Sequence, residues 1–284
     1  MTKIIKYFLQ AIIIYLFFLI SLICGLKLSR KLFSNLFLIF GPVLKSRKTI
    51  SNNLEIYSPN ISEDNKKIIK EKMWKNYGMT FVEYMFLKKF RNHNSHITIK
   101  GENILSSISK DKPVIFVSGH FANFELMSME ISKKNINLAT IYRPLNNIFL
   151  NPLMEHLRKK YICKNQIKKG LNGVREAIEY IKKNHSIALM IDQRVSEGDK
   201  IEFFGKPALT TTLPAQLAMK FNLNIVPVFI ERTSSENFTI EFNNFINTNQ
   251  FSDKKVLTKK LNEILEGMIK RNPNEWIWTH NRWK

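Results

Sequence analysis

The pattern of hydrophobic and polar positions separates an apolar N-terminus from an alternating remainder. The run from Tyr7 to Leu26, YFLQAIIIYLFFLISLICGL, carries no charge. A helix of about 20 apolar residues is long enough to cross a bilayer core of about 30 Å. A cleavable signal peptide is the alternative, but its apolar core is usually about 7–15 residues long and ends at a small-residue site. Lys27 and Arg30 follow here instead, so we predict a transmembrane anchor over residues 1–27.

The cations on either side of this run predict its orientation. Two lysines precede it, whereas the Lys and Arg residues between positions 27 and 48 are more numerous. Because Lys and Arg are enriched on the cytoplasmic side of membrane helices, we expect a single pass with most of the chain in the cytoplasm. Residues 28–96 are predicted to form membrane-proximal helices. Within them the apolar segment 32–44, interrupted by Gly41-Pro42, is typical of an interfacial helix or equally of a core helix.

Beyond residue 96, strand-like and helix-like segments alternate. Short apolar and β-branched runs predict strands at 97–101, 113–118, 137–142, 186–191, 224–230 and 238–242. Apolar residues at helical spacing predict helices at 62–89, 121–133, 147–161, 171–183, 211–221 and 252–271. This alternation predicts an α/β domain over residues 97–284, with a mostly parallel sheet flanked by helices.

Composition and charge narrow the class of partner. The chain of 284 residues has 44 Lys and Arg against 23 Asp and Glu, a formal net charge of +21, which favours anionic lipid, an acidic protein or nucleic acid. The lysines are scattered and the aromatic residues lie in apolar runs or near the C-terminus, so the pattern does not favour nucleic acid. Two cysteines cannot form a disulfide framework, which indicates a reducing compartment.

Polar clusters follow three of the predicted strands. They read SGHFANFE over 118–125, YRPLNN over 142–147 and DQR over 192–194. Ligands of parallel α/β sheets bind beyond the carboxyl ends of the strands. We therefore expect the three clusters to form one site.

The pair His120 and Glu125 is the candidate for acid–base chemistry. The two side chains can meet if His120 lies in the turn before a helix and Glu125 lies one turn inside it. A carboxylate on one imidazole nitrogen fixes the tautomer and leaves the other nitrogen free to remove a proton. The alternative is a histidine at a helix start beside an unrelated exposed glutamate. The sequence has no HExxH, CxxC, phosphate-loop or dinucleotide-binding pattern, so we expect neither a metal nor a cofactor.

Five motifs, in order, resemble a known family. The stretch GHFANFE matches the H-x4-D/E motif of glycerolipid-type acyltransferases in its Glu form. Together with YRPLNN, DQR, FFGKPALTTT and the closing WIWTHNRW, it resembles the bacterial lipid A biosynthesis acyltransferases, the late lauroyl and myristoyl enzymes. The resemblance covers nearly the whole chain, including the N-terminal anchor. Arg194, Leu213 and the Lys-rich loop 163–170 depart from the pattern of many members, which affects chain-length preference and acceptor identity more than the reaction.

The resemblance implies roles for particular residues. His120 takes the place of the family's general base and Glu125 that of its carboxylate partner. Substrate-binding positions are implied for polar residues of the three clusters and of the following helix: Asn123, Arg143, Asn146, Arg158, Asp192 and Gln193. Asn123 or backbone N–H groups are expected to stabilise the oxyanion, and Arg143 and Arg158 to hold phosphate or sugar-acid oxygens.

The resemblance also implies the reaction and its partners. A fatty acyl chain is expected to move from acyl carrier protein to a hydroxyl of a lipid A precursor, an anionic glycolipid, at the bacterial inner membrane. An apolar groove is expected to run from His120 towards the membrane-proximal helices and to hold the acyl chains. Two alternatives remain open: another acceptor, such as a phosphatidylinositol mannoside or a lysophospholipid, and a basic membrane tether without catalysis.

Overall fold

A computed structural model describes residues 2–109 and 111–284. Its helices are α1 (Thr2–Leu44), α2 (Arg47–Tyr57), α3 (Glu63–Glu83), α4 (Leu87–Asn92), α5 (Glu102–Ser106), α6 (Glu125–Lys133), α7 (Asn151–Leu157), α8 (Leu171–Lys182), α9 (Leu213–Phe221) and α10 (Lys254–Arg271). A π-helical turn, Arg158–Ile162, extends α7. Its strands are β1 (Ile97–Lys100), β2 (Ile115–Ser118), β3 (Leu138–Tyr142), β4 (Asn165–Lys168), β5 (Ser186–Met190), β6 (Asp199–Phe203), β7 (Lys206–Thr210), β8 (Ile225–Arg232) and β9 (Phe238–Phe242).

Seven strands form the central sheet in the order β1-β9-β8-β2-β5-β3-β4. All neighbours are parallel except β8 and β9. The predicted α/β class with a mostly parallel sheet is therefore confirmed. The strands β2 and β5 at its centre are buried almost throughout, as expected for a sheet covered on both faces.

The hydrophobic pattern of the sequence did not predict two features of the domain. Strand β4 is an edge strand with the polar sequence NQIK, so no apolar run marked it. Strands β6 and β7 form an antiparallel hairpin outside the main sheet. Their two-residue turn, Phe204-Gly205, has positive φ at both positions, which is the geometry of a tight hairpin turn.

The N-terminal helix is broken and folds back on itself. Gly25 has φ 71° and ψ 167°, a combination that glycine tolerates best. The rings of Phe17 and Phe33 lie 5.3 Å apart, although 16 residues of straight helix would separate them by about 24 Å. Ser29 Oγ also donates to the Ser21 carbonyl at 2.9 Å. We call residues 2–44 the N-terminal hairpin.

The second half of the hairpin packs tightly against α3. A Cβ on Gly78 would lie 2.0 Å from the Phe33 carbonyl oxygen, and one on Gly41 would lie 2.3 Å from the Trp74 ring. The two glycines therefore permit the close crossing of the helices. Pro42 does not break the helix, which continues to Leu44. A buried ion pair, Arg30 Nε to Glu83 Oε1 at 2.7 Å, reinforces the contact.

The first half of the hairpin contacts the α/β domain while its outer side remains apolar and exposed. Tyr15 Oη donates to the Phe149 carbonyl at 2.7 Å, and the Tyr7 carbonyl accepts from Asn147 Nδ2 at 2.8 Å. Many of its Ile, Leu and Phe side chains are exposed. Within the described part of the chain, one helix, Lys3–Leu44, is long and apolar enough to cross a membrane by length and composition. The break at Gly25 lies near the end of the predicted anchor over residues 1–27.

Candidate active site

The strand register brings His120 and Asp192 together. In the pairing of β2 with β5, Ser118 is aligned with Met190, and His120 and Asp192 each lie two residues further on. His120 Nδ1 and Asp192 Oδ1 are 2.7 Å apart, and the His120 backbone N–H donates to Asp192 Oδ2 at 2.8 Å. The prediction that the strand-end clusters meet is confirmed for these two.

Asp192 is fully buried and accepts a third hydrogen bond, from Trp276 Nε1 at 2.9 Å. Burial alone would raise the pKa of Asp192, but the His120 imidazole and the hydrogen bonds from His120 and Trp276 outweigh it and hold the pKa below its ordinary value. An ionised carboxylate only accepts, so Nδ1 of His120 is the donor. Nε2 is then the basic nitrogen, and it has no hydrogen-bond partner among the described residues.

Glu125 is not the partner of His120. Helix α6 begins at Glu125, after a loop in which Ala122 has a φ of 42°. The Glu125 carboxylate accepts from Arg158 Nε at 2.8 Å, from Arg158 Nη2 at 2.6 Å and from Tyr84 Oη at 2.5 Å. The predicted pairing of His120 with Glu125 is therefore corrected to a pairing with Asp192.

Arg158 is nine-tenths buried beside Glu125. Burial would lower its pKa, but the charges and hydrogen bonds of Glu125 and Tyr84 dominate and raise it, so the guanidinium stays charged. Its Nη1 is buried and has no hydrogen-bond partner within the described chain. The two N–H bonds of Nη1 are thus unused, while Nε and Nη2 donate to Glu125 and Tyr84.

A cavity of about 180 Å³ lies beside His120. Five of the predicted site residues line it: His120, Glu125, Arg143, Arg158 and Gln193. Lys169, which the sequence did not single out as a site residue, lines it as well. Its apolar wall includes Met127, Ile141, Leu189, Met190, Val195 and Leu213. None of the described residues 2–96 lines this cavity, so the predicted course of the groove towards the membrane-proximal helices is not found.

Three predicted site residues do not line the cavity. Asn123 is buried, and its Nδ2 donates to Glu83 at 2.9 Å, so this amide is committed to a structural contact instead of an oxyanion. Asn146 is exposed in the loop after β3. Asp192 lies behind His120 with no exposed surface and accepts hydrogen bonds from its ring and backbone.

The C-terminal segment contributes residues to which the sequence gave no role. Besides Trp276, His280 Nε2 accepts from the Arg194 backbone N–H at 2.9 Å. Arg282 is fully buried and donates to the Leu209 carbonyl at 2.9 Å. The density of Trp, His and Arg in the last nine residues was the available signal, because such side chains seldom cluster without polar partners. Across residues 2–109 and 111–284 no group of three or more His, Cys, Asp or Glu residues could hold a metal.

Comparison with known proteins identifies the family. The model of the bacterial lipid A biosynthesis acyltransferases matches residues 2–284. A lipid A biosynthesis acyltransferase of Haemophilus influenzae is 21% identical over 245 residues, which are 82% of this chain and 75% of that protein. A lipid A biosynthesis palmitoleoyltransferase of Escherichia coli is 24% identical over 256 residues, 86% of this chain and 80% of that protein.

A solved structure also overlaps with most of the chain. The 1-acyl-sn-glycerophosphate acyltransferase PlsC of Thermotoga maritima has a TM-score of 0.42 and 15% identity, over 95% of this chain and 99% of the other. The family match, in contrast, extends over the hairpin, the sheet and the C-terminal segment alike. The chain belongs to the bacterial lipid A biosynthesis acyltransferases and is an acyltransferase enzyme.

Proposed function

We propose that this acyltransferase moves a fatty acyl chain directly from a thioester donor to a hydroxyl, with His120 as general base and Asp192 as its orienting partner. The proposal is carried by the hydrogen bond of 2.7 Å between His120 Nδ1 and the buried Asp192 carboxylate. It fixes the tautomer in which Nε2 is basic, at the wall of the cavity. An oriented imidazole of this kind contributes about 10²–10⁴-fold to a rate.

The proposed step needs no covalent enzyme intermediate, because a thioester is already activated. Nε2 of His120 accepts the hydroxyl proton as the oxygen attacks the thioester carbonyl carbon. The tetrahedral oxyanion collapses, the carbon–sulfur bond breaks, and the imidazolium returns the proton to the leaving thiolate. Asp192 stabilises the imidazolium between these two transfers.

Arg158 replaces Asn123 as the proposed donor to substrate oxygen. Its Nη1 is buried without a partner in the described chain, and the residue lines the cavity beside His120. A buried N–H group without an acceptor costs free energy, which an oxyanion or carbonyl oxygen would recover. Glu125 and Tyr84 accept from Nε and Nη2 and so fix the guanidinium plane. The role we propose for Glu125 is therefore to position Arg158.

The proposed donor is acyl carrier protein, and the proposed acceptor is a hydroxyl of a lipid A precursor. The relatives are named for lipid A biosynthesis, and the net charge of +21 suits an acidic carrier and an anionic glycolipid. Arg143 and Lys169 at the cavity supply cations for acceptor phosphate. Gln193 contributes an amide for sugar or amide oxygens.

The proposed location is the cytoplasmic side of the bacterial inner membrane. The exposed apolar side of the N-terminal hairpin requires a nonpolar environment, since patches of this extent are rare on soluble proteins. The excess of Lys and Arg after the apolar run supports an α/β domain on the cytoplasmic side.

Replacing His120 with Ala tests the mechanism. We expect the His120→Ala variant to lose at least 10²-fold in turnover, measured by mass spectrometry of the acylated acceptor, while the variant remains folded. The His185→Ala variant is the control, because His185 precedes β5 at the opposite end of the sheet. Near-normal turnover of His120→Ala would refute the mechanism. Running the same assay with acyl carrier protein and coenzyme A thioesters identifies the donor.

A further inference from the structure

Large apolar side chains are rarely exposed outside the N-terminal hairpin. In the described part of residues 45–284 they are Ile68, Leu145, Ile148, Leu171 and Val256. Leu171 is the extreme case at 87% exposure, and Ile148 is 58% exposed. Exposed side chains of this size need no explanation singly, but a group of them marks a binding surface.

Three of these side chains lie at one edge of the sheet. Leu145 and Ile148 follow β3, and Leu171 follows β4. The two strands are parallel neighbours whose last residues, Tyr142 and Lys168, are aligned. Both loops therefore leave the sheet side by side, at the carboxyl edge that also carries the cavity.

Cations accompany these apolar side chains. Arg143 and Lys169 are exposed in the same two loops, and Lys168 is exposed at the end of β4. Arg143 and Lys169 also line the cavity. The only carboxylate paired with this group in the described chain is Glu155, 3.1 Å from Lys168. Exposed Leu and Ile between Lys and Arg form the pattern of a membrane-surface contact, where apolar groups enter the acyl boundary and cations meet anionic headgroups.

The same surface continues into the N-terminal hairpin. The ring of Phe149, one residue after Ile148, packs edge-on against that of Phe8 at 5.4 Å. Asn147 Nδ2 donates to the Tyr7 carbonyl at 2.8 Å. The loop after β3 is thus attached to the part of the molecule that we have proposed to contact the membrane.

We propose that the cavity rim, defined as Leu145, Ile148 and Leu171 with Arg143, Lys168 and Lys169, is a second membrane-binding surface. Its partner is an anionic lipid surface. This proposal rests on the proposed membrane association. It adds that the rim places the mouth of the cavity against the bilayer. A lipid-borne acceptor then reaches His120 without passing through bulk water.

A fluorescence experiment on the full-length protein tests the rim. An environment-sensitive dye is attached to single cysteines in a Cys24→Ser background, through Leu171→Cys, Ile12→Cys or Val256→Cys. Cys163 is buried and its pKa is raised by burial to about 11, so it reacts poorly. Ile12 lies on the hairpin, and Val256 is 48% exposed on α10, which makes it the matched control. The vesicles contain phosphatidylethanolamine and phosphatidylglycerol with brominated acyl chains.

We expect quenching of the dye at positions 12 and 171 and none at position 256. Quenching at 12 without 171 leaves the proposed membrane association standing and overturns the rim. Quenching at neither position refutes both. A response at 171 to a purified acidic carrier protein, but not to vesicles, would make the rim a protein-docking surface and would also overturn the proposal.

An activity measurement provides a second test. The Ile148→Ser/Leu171→Ser variant should lose about 10-fold in kcat/KM on vesicle-borne acceptor, since two apolar side chains no longer enter the bilayer. It should keep its kcat/KM on detergent-dispersed acceptor. The Val256→Ser variant should be unaffected in both assays. Equal loss in vesicles and detergent would contradict a membrane role for the rim.

Discussion

Two buried carboxylates lie close to His120 and differ in how their charge is balanced. Glu125 is paired with the Arg158 guanidinium, so its charge is already neutralised by a permanent cation. Asp192 accepts from His120 and Trp276, and within the described residues no guanidinium donates to it. A carboxylate without a guanidinium partner, such as Asp192, retains a negative charge that can stabilise an imidazolium. This difference supports our proposal that Glu125 positions Arg158 while Asp192, remote in sequence, orients His120.

A third buried carboxylate, Glu83, is paired with two arginines and lies in a structural contact. Glu83 accepts from both Arg30 and Arg232 at 2.7 Å and from Asn123 at 2.9 Å. It joins the N-terminal hairpin, the end of β8 and the loop between His120 and Glu125. The two arginines belong to separate parts of the chain, so this cluster fixes the hairpin to the active-site loop.

The largest expected effect comes from Asp192→Asn. An amide does not stabilise the imidazolium and permits the wrong tautomer, so we expect kcat to fall by roughly 10²–10⁴-fold with little change in KM. Steady-state kinetics on purified protein measure it. A loss below about 10-fold would show that Asp192 is not the partner of the catalytic histidine.

Glu125→Gln should instead act mainly on stability. It leaves the buried Arg158 guanidinium without a counterion, and breaking a buried pair in this way costs about 3–5 kcal/mol. Denaturant unfolding measures the loss. The double variant Glu125→Gln/Arg158→Met should be more stable than Glu125→Gln but less active, because it lacks the proposed donor to the oxyanion. If Glu125→Gln were as stable as the native protein and as slow as Asp192→Asn, the two carboxylates would have equivalent roles, against our comparison.

Glu275 is a third type of carboxylate, one that is buried but accepts a hydrogen bond only from the Arg232 backbone N–H among the described residues. Burial raises the pKa of Glu275 to about 7, against a hydrogen bond from the Arg232 backbone N–H and the nearby Arg232 charge. The folded state thus holds a proton that the unfolded state loses near pH 4.5, so this group lowers stability as pH rises from about 4.5 to 7.

The Glu275→Gln variant lacks this penalty. Its gain in unfolding free energy over the native protein should grow between pH 5 and 7 and level off above, at up to about 3 kcal/mol. Unfolding curves across this range measure the gain, with the exposed Glu197→Gln as control. A gain independent of pH would contradict the assignment.

The sequence predicted the site's location better than its contacts. The clusters at 118–125 and 192–194 had to meet if both strands were parallel and central, and the register of Ser118 with Met190 confirms it. The spacing of five between His120 and Glu125 was compatible with contact. The two side chains are apart because α6 begins at Glu125, after a loop in which Ala122 has a positive φ. The spacing of hydrophobic residues does not predict such a loop conformation.

Local patterns therefore determined the α/β class, most of the strands, the apolar N-terminus and the residues available for catalysis, because each depends on neighbours within one or two turns of chain. The tertiary structure decided which acid is hydrogen-bonded to His120, that Trp276 donates to that acid, and that the N-terminal helix folds back at Gly25. Those outcomes depend on contacts between residues 72 and 84 positions apart and on the close crossing of Phe33 with Gly78. Such contacts form only when separate elements pack, so no window of sequence contains them.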